Sequence, residues 1–120
     1  MTLRCQDIIM YRGDTREVSV DIVAADGSAV DSSDPLLNVS WRMAGTLYSD
    51  ADLILRQSSD GGITWGPGGQ ATFVLAAADT ANLTPGYYFH EMRVSDDADV
   101  WTAMNGTVVI KPTRTIPVAP

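Results

Sequence analysis

Residues 83–94, Leu-Thr-Pro-Gly-Tyr-Tyr-Phe-His-Glu-Met-Arg-Val, constrain this chain more than any other stretch. Pro85-Gly86 makes a turn, and the run after it sends side chains alternately to two faces. Tyr88, His90, Met92 and Val94 share one of them. Twelve residues on, Gly106-Thr107-Val108-Val109-Ile110 opens a second run rich in β-branched residues. Two such runs closing the chain predict a small all-β domain.

The same period of two recurs upstream. In residues 17–23, Val18, Val20 and Ile22 face one way and Glu17, Ser19 and Asp21 the other. In residues 37–43, Leu37, Val39, Trp41 and Met43 are inward, and Asn38, Ser40 and Arg42 outward. Shorter strands are expected at residues 8–10, 53–56, 63–65, 71–75 and 100–110, separated by turns such as Asp26-Gly27 and Asp60-Gly61-Gly62. The alanine-rich residues 76–83 form the one helical segment, a crossover of about two turns. Seven to nine short antiparallel strands at this spacing predict an immunoglobulin-like β-sandwich over residues 8–111. Trp41 takes the place of its core tryptophan and Tyr88 that of its corner tyrosine. Residues 1–7 and the proline-rich residues 112–120 read as arms, carrying Leu3, Ile116 and Val118 as apolar groups for docking.

At 120 residues the chain makes one domain with a core of its own. Fifteen acids against eight scattered bases argue against a nucleic-acid partner. A single cysteine excludes an internal disulfide. No apolar run reaches membrane-spanning or signal-peptide length, so no membrane role is expected.

Catalytic chemistry has few candidates. Cys5 and His90 are the one thiol–imidazole combination, but nothing marks an orienting third group, and His90 beside Met92 reads as a structural histidine. Asp96, Asp97 and Asp99 lack the remaining ligands and the glycine of a calcium loop, and Asp50 and Asp52 fare no better. Gly61-Gly62 and Gly66-Pro67-Gly68-Gly69 are not followed by a Lys-Ser/Thr pair, so they read as turns, not phosphate cradles. Arg12-Gly13-Asp14 spells an adhesive tripeptide yet makes equal sense as a turn between strands. The reading is therefore no catalytic residue, no metal and no cofactor. Trp65 and Trp101, each next to a turn, are candidates for a protein interface, with packing in the core or on a sheet face the expectation for at least one of them. With Tyr87 they would also serve a glycan-stacking surface, the main rival reading.

Five segments together resemble the small immunoglobulin-like modules of tailed-bacteriophage virion proteins, including the N-terminal domain of baseplate upper proteins. They are Tyr11-Arg12-Gly13-Asp14-Thr15, Asp60-Gly61-Gly62-Ile63-Thr64, residues 69–75, residues 78–83 with Pro85-Gly86-Tyr87-Tyr88, and residues 104–109. The resemblance implies a multicopy, non-enzymatic virion component, assembled in the bacterial cytoplasm, that contacts other capsid or tail proteins. A baseplate upper protein continues past such a module into a docking region, whereas this sequence stops, so capsid decoration is an equally good expectation.

Overall fold

The computed structural model describes residues 4–24, 27, 28, 30, 34–45 and 52–112. Among them are nine strands: β1 (Arg4–Cys5), β2 (Ile8–Tyr11), β3 (Arg16–Asp21), β4 (Asn38–Ala44), β5 (Ile54–Gln57), β6 (Thr64–Gly66), β7 (Gln70–Leu75), β8 (Gly86–Ser95) and β9 (Val100–Lys111). The expected crossover helix is present but shorter, as α1 (Ala77–Thr80).

The strands form two sheets packed as a sandwich. The larger has the order β1-β9-β8-β4-β5 with β2 also on β9, and the smaller has the order β3-β7-β6. Alternation explains the arrangement, because each strand buries one side-chain row against the facing sheet. From the larger sheet come Ile8, Met10, Val39, Trp41, Met43, Met92, Val94, Val108 and Ile110; the smaller supplies Val18, Val20, Ala71, Phe73 and Leu75. At the centre the Trp41 and Phe73 rings meet with centroids 4.6 Å apart.

Arg4 and Cys5, expected in an arm, belong to the sheet. Arg4 and Cys5 pair in parallel with Met104 and Asn105, and Ile8–Tyr11 pair in parallel with Val108–Lys111. Because these first strands run parallel to the last, β1 lies beside the middle of β9 and β2 ends beside its C-terminus. Of the arm residues named above, Leu3, Ile116 and Val118 lie outside the described residues.

The chain changes sheets between β2 and β3, through Arg12-Gly13-Asp14. Gly13 takes a left-handed φ of 83°. Its buried N–H donates to Thr80 Oγ1 at 2.9 Å, while the Arg12 N–H donates to the Lys111 carbonyl. The tripeptide is thus a pinned corner with its glycine buried, not a displayed loop. Arg56 on β5 spans the two sheets by donating to the Val74 carbonyl on β7 and to the Asp79 carboxylate at the start of α1. The Tyr88 hydroxyl donates to the Thr84 carbonyl four residues upstream, closing the loop before β8.

Candidate functional site

His90 is the one residue whose chemistry and burial single it out. It sits on the inner face of β8, 4% exposed, opposite Gly106 on β9. The Trp41 indole Nε1–H donates to His90 Nδ1 at 3.0 Å. An indole nitrogen only donates, so Nδ1 must be the unprotonated acceptor and Nε2 carries the hydrogen. That Nε2–H donates to the Gln6 carbonyl at 2.6 Å. Both ring nitrogens are therefore committed, and the ring joins β4, β8 and the N-terminal segment. The Cys5 side chain lies outside the described part of the structure, and no orienting carboxylate is bonded to the imidazole. The geometry is that of a satisfied structural histidine.

This arrangement makes stability depend on pH. Desolvation lowers the His90 pKa from its ordinary 6.5, against smaller opposing effects of the Gln6 carbonyl and the Asp7 charge. The unfolded chain then binds the proton more readily than the folded one. The contribution is fully present above about pH 6.5 and is lost as the pH falls from there toward the lower folded pKa. Thermal melts should show the protein losing stability as the pH falls below about 6.5, with a much flatter response there for His90→Phe. An equal slope in the variant would assign the effect to other groups.

The acidic turn is locally satisfied. Asp96 Oδ1 accepts the N–H groups of Ala98 and Asp99 at 2.8 and 2.7 Å. These bonds favour the ionised form and hold the Asp96 carboxyl below its usual range. No group of three potential metal ligands is present among the described residues.

The two tryptophan candidates have different surroundings. Trp101 is 3% exposed and part of the core, the alternative to an interface position. A bulge sets the orientation of Trp101: the β8–β9 register shifts at Met92/Arg93, pairing Met92 with Met104 but Arg93 with Thr102. The extra residue, Ala103, reverses the alternation and turns Trp101 inward. Trp65 is half-buried and packs against the core from β6. Of the three aromatic residues suited to a stacking surface, Tyr87 alone is exposed.

Sequence reasoning missed an apolar band on the outer face of the larger sheet. Ile9 on β2, Val109 on β9 and Tyr87 on β8 lie in one row across three paired strands. Phe89 and Ala44 form the next row across β8 and β4, with Leu53 bonded to β4 beside them. Ile9, Leu53 and Tyr87 are each at least half exposed. The band was legible only in part, because membership of neighbouring strands decides which outward residues meet. Toward the acidic turn the same face becomes polar, with Glu91, Arg42, Arg93 and Ser40.

No helix among the described residues is long and apolar enough to cross a membrane. No protein-family model matches the chain, and no curated protein does. Solved structures to which the chain shows similarity include the adhesin InvE of Yersinia pseudotuberculosis, at 18% identity and a TM-score of 0.49 over 89% of this chain. Another is a family 123 glycoside hydrolase from Clostridium perfringens, at 16% identity and a TM-score of 0.43 over 94% of this chain. The chain spans 24% of the length of each.

Proposed function

We propose that this chain is an immunoglobulin-like module that works by docking to other proteins, as a non-enzymatic structural part of a tailed-phage virion. The observation that carries the docking role is the apolar band. Contiguous apolar side chains on an outer sheet face, bordered by polar ones, mark interaction surfaces. The residues with potential for catalysis point the same way, since the His90 nitrogens are both held in structural bonds and Asp96 orders its own turn.

The immunoglobulin-like reading is supported by the two sheets, by Trp41 on a central strand of the larger one, and by the Tyr88 hydroxyl bonded back to Thr84. The virion setting rests on the resemblance of the five segments named above. Capsid decoration and a tail or baseplate position are its two forms.

The test is co-sedimentation of the purified chain with shells and with tails of the phage whose genome carries it. Wild-type protein should sediment with one of them, and Tyr87→Glu, which puts a charge in the band without touching the core, should remain in the supernatant. Equal sedimentation of the variant overturns the role of the band. A coding sequence outside any cluster of virion genes overturns the phage setting.

A further inference from the structure

The sandwich is electrically polarised along its strands. At the end where β9 finishes, Lys111 lies over the Tyr11 ring at 5.7 Å, and Arg16 donates to the Ile9 carbonyl. Arg12 is at the same end, with Asp14 and Glu17 beside it; Asp79, paired with Arg56, and Asp52, beside Arg42, lie toward this end too. The apolar band begins here, with Ile9, Tyr11 and Tyr87 all at least half exposed. At the opposite end the β8–β9 turn presents Asp96, Asp97 and Asp99, with Asp34 in the turn before β4. Asn38 pairs with Ser95 and Ser95 with Val100, which sets that turn beside the tip. The nearest base along β8 is Arg93, two residues back from Ser95. Two large apolar residues, Leu36 at 55% and Val100 at 62% exposed, sit among these carboxylates.

Each end thus combines exposed apolar residues with charged ones, a combination found at protein interfaces; bases are in slight excess at the first, and the second is acidic. We infer that the partner of the Tyr11–Lys111 end is the acidic tip of a second copy of this chain. Val100 and Leu36 of one copy cover Tyr11, Ile9 and Tyr87 of the next, and Lys111 and Arg16 face Asp97 and Asp99. The two surfaces are different patches at opposite ends of one chain, so the contact is head-to-tail and does not close on itself. Copies add in a row, and dimers are only its first member. This rests on the docking reading, because it names an occupant for the exit end of the same band.

Sedimentation velocity on the full chain tests the inference. Wild-type protein in about 0.05 M salt should form a concentration-dependent series of oligomers with no plateau at the dimer, and should dissociate at about 1 M salt, where screening reaches about 3 Å. Lys111→Glu alone, or Asp97→Lys with Asp99→Lys, should weaken association by more than about tenfold, since each sets like charges together. Asp96 is left in place because it orders the turn. An equimolar mixture of the two variants should assemble again, each reversed end meeting a complementary one. A monomeric wild type at millimolar concentration overturns the inference, as do variants that stack like wild type. The tip variant leaves the band intact, so loss of its self-association with retained binding to particles supports head-to-tail stacking separately from docking.

Discussion

Gly106→Ala should destabilise the protein by about 2–4 kcal/mol, the sum of an overpacking penalty and one lost buried hydrogen bond. A Cβ at this position would lie 2.1 Å from the Gln6 carbonyl oxygen and 3.0 Å from His90 Nε2. The missing side chain is what lets the N-terminal backbone come close enough to accept the histidine's hydrogen. Adding it forces Gln6 away and breaks the His90 bond with it. Chemical denaturation measures the loss, and a companion experiment identifies its source. In a chain beginning at Asp7, which has no Gln6 carbonyl to displace, the same substitution should cost far less. Equal costs in the two backgrounds would show that the clash is relieved elsewhere.

Trp41→Ala should cost about 3–5 kcal/mol, as removal of a large buried aromatic does. Trp41 is fully buried, stacks on Phe73 of the facing sheet and donates to His90. Truncation leaves both a cavity between the sheets and an unpartnered Nδ1. Trp41→Phe separates these effects. It keeps most of the volume while removing the N–H, so its loss should fall near the 1–3 kcal/mol of a buried acceptor left unsatisfied. A loss below about 1 kcal/mol for the alanine variant would place this side chain outside the cooperative core.

Much of the core could be read from alternation alone. Val18, Val20 and Ile22, then Val39, Trp41 and Met43, then His90, Met92 and Val94, are inward in sequence and in structure. Alternation has a phase, however, and the bulge at Ala103 shifts it, so the burial of Trp101 could not be read from the period of the last strand. A two-residue strand such as β1 has no period to detect, which hid the sheet contribution of Arg4 and Cys5. Turn chemistry located Arg12-Gly13-Asp14 as a break between strands, but a hairpin and a corner between sheets use the same residues. The histidine cluster was out of reach for a different reason. Its parts, Gln6, Trp41, His90 and Gly106, are far apart in sequence, and only strand pairing brings them together.

The parallel pairing of β2 with β9 also sets a timetable for the growing polypeptide. The three strands of the smaller sheet are complete once Leu75 has been made, but Ile8 and Met10 wait for Val108 and Ile110, a hundred residues later. At translation speeds of about 5–20 residues per second that wait is about 5–20 s, during which a strand meant for the core has no partner. Contacts this distant along the chain slow folding in the test tube for the same reason, since the loop must close before the pairing rewards it. On the ribosome, the vulnerable interval ends only when the final strand emerges and one edge of the larger sheet zips shut.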